Sequence, residues 1–286
     1  VHDYADSIDL DYVSTPRSVI RNCLIEDNSD DDGIDLQGSN ALIENVVIRG
    51  VAAGKGISID LVCTPTIRNV LVYDTMWGFV VKDASTPRFE QCTVTRCEKG
   101  LYVFEKSSGA GGGHLTGESM IVWNNTQNID VDAKSTCGLT YSLVGGGRAG
   151  EGNIDADPLF ADPAAEDFRL LPGSPAIGTG KNGVNMGALP AFEPQGPVFI
   201  RGDANRDGAL DVSDPVTILL YLFKGTANPT CLDALDADDL VAVEITDAIY
   251  LLTFLFLGGP APPAPYPAAG LDPTTADPLD CGAQDG

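Results

Sequence analysis

Asp32-Gly33-Ile34-Asp35-Leu36 returns as Lys55-Gly56-Ile57-Ser58-Ile59, as Trp77-Gly78-Phe79-Val80-Val81 and as Lys99-Gly100-Leu101-Tyr102-Val103. A shorter copy, Ser7-Ile8-Asp9-Leu10, precedes the series, and Asn128-Ile129-Asp130-Val131 follows it. Measured from the first apolar residue of each copy (Ile8, Ile34, Ile57, Phe79, Leu101, Ile129), the steps are 26, 23, 22, 22 and 28 residues. A unit of that size cannot bury a core alone, so the period predicts a solenoid whose turns bury one another. Within each copy apolar residues alternate with others, which is the period of a strand.

A second series keeps step with the first: Ile20-Arg21-Asn22-Cys23-Leu24-Ile25, Ile43-Glu44-Asn45-Val46-Val47-Ile48, Ile67-Arg68-Asn69-Val70-Leu71-Val72 and Phe89-Glu90-Gln91-Cys92-Thr93-Val94. Each turn therefore carries at least two strands separated by Pro, Gly, Ser and Asp, and stacking the turns makes parallel sheets. The predicted fold is mainly β, a parallel β-helix. Asn22, Asn45, Asn69 and Gln91 should then lie one above another, about 4.8 Å apart, as an amide ladder at a bend.

The chain has 286 residues, 43% of them apolar, which suits one or two folded domains. Its 41 acidic residues against 17 basic ones give a net charge of −24, which argues against nucleic acid or an anionic membrane surface as partner. Abundant Asp suits calcium and a high-salt or extracellular setting. No run approaches the roughly 20 apolar residues of a membrane span, the longest candidate being Ile249 to Leu257, so membrane insertion is not expected. Residues 1–13 already read as part of a coil, without a secretion signal, so we expect an N-terminally truncated β-helix. Among seven cysteines, Cys23 and Cys92 take inward positions of the second series. Cys63, Cys97 and Cys137 sit near turns and either pair or stay free. Cys231 and Cys281 bracket the C-terminal segment and are expected to form a disulfide.

From Ser107 to Gly113 the spacing loosens into a glycine-rich insertion, before Met120-Ile121-Val122-Trp123 resumes a strand. It lacks the Gly-Lys-Ser/Thr ending of a phosphate loop. Asn153-Ile154-Asp155-Ala156-Asp157-Pro158-Leu159-Phe160, Asp167-Phe168-Arg169-Leu170 and Gly173-Ser174-Pro175-Ala176-Ile177-Gly178 resemble the closing segment of many bacterial extracellular right-handed β-helices. That resemblance implies a cap over the open coil end. The expected organisation is a right-handed parallel β-helix with cap over 1–188, a proline-rich linker over 189–197 and a second domain over 198–286.

The second domain opens on Asp203-Ala204-Asn205-Arg206-Asp207-Gly208-Ala209-Leu210-Asp211-Val212-Ser213-Asp214. Oxygen donors at positions 1, 3, 5, 9 and 12, a glycine at 6 and a carbonyl at 7 make an EF-hand-type calcium loop. Here these are Asp203, Asn205, Asp207, Asp211, Asp214, Gly208 and the carbonyl of Ala209. Asp replaces the usual Glu at position 12, and a helix is expected from Pro215 to Lys224 with none before the loop. Both features resemble dockerin domains, calcium-folded modules that plug into cohesins. A second copy starts 33 residues later, with Asp236, Asp238, Glu244 and Asp247 as donors and the carbonyl of Ala242 at position 7. Leu240 stands there where a carboxylate should ligate and Val241 where the glycine should turn, so this loop should bind calcium weakly or not at all. The structural reading of this loop is Asp247 as a helix cap with Asp236 solvated. The resemblance also implies that positions 10 and 11 of each loop, Val212-Ser213 and Ile245-Thr246, touch a cohesin-like or other cell-surface partner.

An enzyme is the competing expectation, because right-handed β-helices include pectate lyases and polygalacturonases. The outward rows of the first series, Asp9, Asp35, Ser58, Val80, Tyr102 and Asp11, Gln37, Asp60, Lys82, Phe104, make the candidate surface. Asp32, Asp35, Asp60 and Lys82 are the candidate catalytic residues, and Asp31, Asp32 and Asp35 could carry a paired-carboxylate hydrolysis or a calcium ion. The Gly-His-Gly and Arg-x-Lys of the polygalacturonase pattern are absent, and acidic walls repel a polyuronate. The chain as a whole resembles the C-terminal part of large extracellular planctomycete-type proteins. The leading expectation is a secreted, non-catalytic β-helix associated with carbohydrate or a surface and joined to a calcium-dependent docking module. The alternative is a polysaccharide lyase or glycoside hydrolase.

Overall fold

The computed structural model describes residues 6–13, 18–192, 197–225, 229–240, 242–272, 279 and 281. The chain divides into two compact units, Val1–Phe192 and Glu193–Gly286.

The first unit is a parallel β-solenoid. Ile8–Asp11, Ile34–Gln37, Lys55–Asp60, Trp77–Lys82, Lys99–Phe104 and Gln127–Val131 form its first sheet, one strand per turn, in sequence order. Their repeated phrases fall in register: Ile34 pairs with Ile57, Ile57 with Phe79, and Phe79 with Leu101. These residues point inward and are fully buried, as are Leu36, Ile59, Val81 and Val103 two residues on. The glycine ahead of each inward residue has a steric reason. A Cβ on Gly33 would sit 2.8 Å from the carbonyl oxygen of Gly56, one on Gly56 2.9 Å from that of Gly78, and one on Gly78 2.6 Å from that of Gly100.

The second sheet holds Ser18–Glu26, Ala41–Arg49 and Thr66–Tyr73. Its later turns are split pairs: Arg88–Glu90 with Thr93–Thr95, His114–Glu118 with Ile121–Trp123, and Thr136–Thr140 with Leu143–Val144. Within the second sheet each turn bends at a left-handed residue, namely Asn22, Asn45, Asn69, Gln91, Ser119 and Tyr141, all with φ between 49° and 56°. Asparagine tolerates that conformation best among non-glycine residues, and the strand runs through the three Asn corners but breaks at the other three. The amide ladder spans three rungs: Asn45 Nδ2 donates to Asn22 Oδ1 (3.2 Å) and Asn69 Nδ2 to Asn45 Oδ1 (3.1 Å). Gln91 leaves it and donates to the carbonyl of Asn185. Replacing Asn45 by Ala removes both bonds and places a Cβ-only residue at φ 53°, so a loss of about 2 kcal/mol is expected, read as a lower urea midpoint.

Two expectations need correction. The glycine run is not wholly an insertion, because Gly112 and Gly113 pack against the carbonyls of Lys134 and Val81, and His114–Glu118 is a strand that alternation alone did not reveal. The closing segment is also only partly a cap. Ile154 bridges to Leu143 at the last turn, but the antiparallel hairpin Phe160–Asp162/Asp167–Leu170 and the residues after it lie along the outer face of the second sheet. There Phe168 packs on Tyr73 at 4.8 Å, Glu166 pairs with Arg49, the Ala188 amide donates to Thr93 Oγ1 and the Gly187 amide to the Ser119 carbonyl. Ala191 bridges to Leu170, so residues up to Phe192 belong to this unit. Cys63, Cys92, Cys97 and Cys137 are buried free thiols, and Cys23 is a half-buried one.

The second unit is two loop–helix copies. Helix α1 spans Ser213–Lys224, starting two residues ahead of Pro215, and α2 spans Ile245–Leu257. They pack around Ile218, Ala248 and Leu251, with Phe199, Leu235 and Ala237 completing the core. Cys231 and Cys281 form a disulfide. Arg201 is the largest fully buried side chain: it donates to the carbonyls of Ala264, Asp233 and Asp236 and pairs with Asp239 and Asp272.

Candidate functional site

Inward Ile34 and Leu36 turn Asp35 and Gln37 outward, and register repeats that choice along the first sheet. Asp9, Asp35, Ser58, Val80, Tyr102 and Asp130 line up in one row. Outward does not mean exposed here, since Asp35, Ser58, Asp60 and Lys82 are 8%, 0%, 2% and 3% accessible. Lys82 Nζ donates to Ser58 Oγ (2.8 Å) and lies 3.4 Å from Asp60, whose carboxylate also meets Lys106 at 3.1 Å. Burial pulls the Lys82 ammonium below its usual range, with Asp60 opposing the shift. Lys106, from outside the two rows, is a member of this cluster that the row pattern missed. Farther along the face Trp77, Tyr102 and Phe104 form an aromatic run at 5.1 and 4.2 Å, with Lys99 Nζ 3.6 Å from the Tyr102 ring centre.

The three acids Asp31, Asp32 and Asp35 do not act as one set. Lys55 Nζ donates to both oxygens of Asp32 at 2.8 Å, so Asp32 pins one turn to the next. The carboxylates converge instead on Asp6, which the sequence did not single out. One oxygen each from Asp6, Asp31 and Asp32 lies within 4.8 Å, and the same holds for Asp6, Asp9 and Asp35. Burial pushes the Asp6 carboxyl up to about 6, the charges of Asp35, Asp31 and Asp32 adding to it and the Asp32 amide opposing.

In the second unit the two loops are built alike. Buried Asp203 accepts from the amides of Asp207 (3.1 Å) and Gly208 (2.9 Å), and buried Asp214 from those of Asn205 (3.3 Å) and Asp211 (2.9 Å). Thirty-three residues on, Asp236 accepts from the Leu240 amide (3.2 Å) and buried Asp247 from those of Ala237 (2.8 Å) and Glu244 (2.7 Å). Arg206 and Asp239 make the same left-handed kink, at φ 60° and 61°. Burial, with the neighbouring loop carboxylates adding, raises Asp214 to about 6 and Asp247 to about 7. Asn205 Nδ2 donates to Asp207 Oδ2, and Asp207 Oδ1 accepts from the Ala209 amide. Asp211 accepts from Ser213, and Glu244 with Asp247 forms a capping box on α2.

Both donor sets are all oxygen and suit a hard cation. The first loop has more of them, and among the described residues no lysine or arginine pairs with Asp203, Asp207, Asp211 or Asp214. The second groups its carboxylates more closely, with oxygens of Asp236, Asp238 and Asp247 within 4.8 Å. Leu240 is exposed and offers none, Ala242 is exposed, and Val241 lies outside the described residues.

The 33-residue repeat extends to the surface. Val212 and Ile245 are 53% and 48% accessible, and the matched pairs Val216/Ile249 and Phe223/Phe256 are also exposed. Counted from Val212 at the N-cap of α1 and from Ile245 at the start of α2, the exposed apolar residues recur at i, i+4 and i+11. Thr246 is exposed beside Ile245, while Ser213 Oγ is held by Asn205 and Asp211.

A family model described as a right handed beta helix region matches residues 2–136, and with the stacked sheets it identifies the solenoid as a right-handed parallel β-helix. Comparison with curated proteins and with solved structures finds no match. Among the described residues no helix is long and apolar enough to cross a membrane.

Proposed function

We propose that the chain is a secreted or cell-surface scaffold: a carbohydrate-associated β-helix joined to a calcium-dependent, dockerin-like docking module over residues 198–286. The observation that carries it is the loop–helix duplication. Asp203/Asp214 and Asp236/Asp247 sit in matching amide cradles, each followed by a helix with the same exposed apolar positions. Asp203, Asn205, Asp207, Asp211, Asp214 and the Ala209 carbonyl would hold calcium in the first loop. Asp236, Asp238, Glu244, Asp247 and the Ala242 carbonyl would do so in the second. A bound ion would bring positive charge to the loop carboxylates and fix how each loop feeds its helix. Val212, Ser213, Ile245 and Thr246, with the stripes behind them, would meet a cohesin-like or other cell-surface protein. Calcium titrated calorimetrically into the chelator-treated chain should fill a tight site that Asp203→Ala removes. Unchanged stoichiometry in that variant overturns the module.

A second reading rests on Lys82, buried between Ser58 and Asp60 with its ammonium destabilised. A lysine so placed suits proton abstraction in a polysaccharide lyase, and the carboxylates nearby suit a glycoside hydrolase. Neutral and acidic glycans screened for unsaturated products or new reducing ends decide it. Turnover abolished by Lys82→Ala or Asp35→Ala establishes the enzyme, and no product on any glycan rules it out.

A further inference from the structure

We propose that the cavity between the closing hairpin and the second sheet binds one uncharged sugar residue, at a place apart from the outer face of the first sheet. The ligand class rests on the reading of the β-helix as carbohydrate-associated, and the place rests on the cavity itself. It measures about 240 Å³, below the roughly 300–1,000 Å³ of pockets for drug-sized ligands, so it suits a single ring. Trp123, Phe160 and Phe168 give it aromatic walls, the two phenylalanines meeting edge to face at 5.4 Å. Trp123 ends the strand Ile121–Trp123, and its indole lies over Gly145 of the next turn, where a Cβ would come within 2.9 Å of Cε3. That glycine makes the indole's seat.

Aromatic walls alone would suit any apolar guest, and the rim decides against one. Asn124 and Asp157 stand exposed at the mouth. Among the described residues the Asn124 side-chain amide and the Trp123 indole N–H make no hydrogen bond, and only Oδ1 of Asp157 accepts one. Donors and acceptors beside flat apolar faces match a sugar, whose ring carries C–H groups on its faces and hydroxyls around its edge. Charge narrows the class. Arg96 is the only cation lining the cavity, and its guanidinium is taken by Asp74 (2.8 Å from Nε) and the Pro163 carbonyl (2.6 Å), so a uronate finds no free partner. Asp157 would repel it. Leu159, also in the wall, is 40% accessible at φ 52°, a conformation that a leucine keeps only when its surroundings hold it. The Asp157 carboxylate accepts its amide at 2.9 Å, and the Leu171 amide donates to its carbonyl at 2.9 Å.

The chain's two tryptophans tell the two faces apart, Trp77 on the first sheet and Trp123 in the cavity. Gluco-, manno-, galacto- and xylo-oligosaccharides, with oligogalacturonate as the anionic counterpart, are titrated into the parent by calorimetry and into Trp77→Phe by fluorescence. At least one neutral oligosaccharide should bind the parent, shift the Trp123 emission of Trp77→Phe and shield it from acrylamide. Its affinity should fall about tenfold or more in Trp123→Ala and about threefold in Leu159→Asn, where asparagine suits φ 52° and leaves the urea midpoint unchanged. Binding that leaves the Trp123 emission unchanged and survives Leu159→Asn overturns the cavity and keeps the carbohydrate-associated reading. No binding of any glycan by the parent overturns both. Oligogalacturonate bound at Trp123 in preference to every neutral glycan overturns the uncharged class.

Discussion

Gly78→Val should destabilise the solenoid by about 3 kcal/mol or more, a large fraction of the roughly 5–15 kcal/mol that holds a typical domain. A Cβ built on Gly78 lies 2.3 Å from Val94 Cγ2 and 2.6 Å from the Gly100 carbonyl oxygen. The first contact is with a buried side chain and the second with the backbone of the next turn, so relief requires two turns to separate. Separation would break the pairing of Trp77–Lys82 with Lys99–Phe104 and open the core at Phe79 and Leu101, both fully buried. Gly138→Ala is the matched control, because a Cβ there meets nothing within 4 Å. Urea midpoints by far-ultraviolet circular dichroism should differ widely between the two variants. Equal midpoints would show that the glycine stack is incidental.

Removing calcium should lower the stability of the second unit by about 4 kcal/mol at ion concentrations near a thousand times Kd. The sign of the pH dependence tests the same idea more sharply. Without ion, Asp214 and Asp247 have folded-state values of about 6 and about 7, above the ordinary 3.8, because burial and neighbouring carboxylates disfavour their charge. Protons therefore bind the folded state more tightly than the unfolded one. The stability they confer is fully present below about pH 4 and is lost as pH rises through 6 to 7. The ion-free unit should gain stability on acidification from about pH 7.5 to 5. With calcium bound the slope should reverse, since protons and the ion compete for the same oxygens. Thermal unfolding in chelator and in calcium across that range reads both slopes, and identical slopes would rule out carboxylate ligation.

The β-helix was legible because its information is periodic: Ile34, Ile57, Phe79 and Leu101 recur at one spacing and pair in the structure as they recur in the chain. The outward rows followed from the same alternation, which is why Asp35, Asp60 and Lys82 could be named together. Their burial could not, because Lys106 reaches Asp60 from 46 residues away and belongs to no repeat. Asp6 escaped notice for a similar reason: its partners Asp31, Asp32 and Asp35 lie a full turn on, and it precedes the phrase that marks the strand. The closing segment along the second sheet was harder still. Arg49 meets Glu166 across 117 residues, and Thr93 meets Ala188 across 95, with no motif to announce either contact.

That back-running hairpin restricts how such a protein can change in length. The hairpin touches Arg49 and Tyr73 and, through its apolar packing, Leu143, and the residues after it reach Thr93 and Ser119, so the closing segment spans five successive turns. Inserting a duplicated repeat between any two of them would displace every later anchor point by about 4.8 Å while the hairpin kept its own rise. A rung added before Ala41 would leave those anchors in place, whereas the stretch from there to Val144 is held at a set number of rungs by its own fastening.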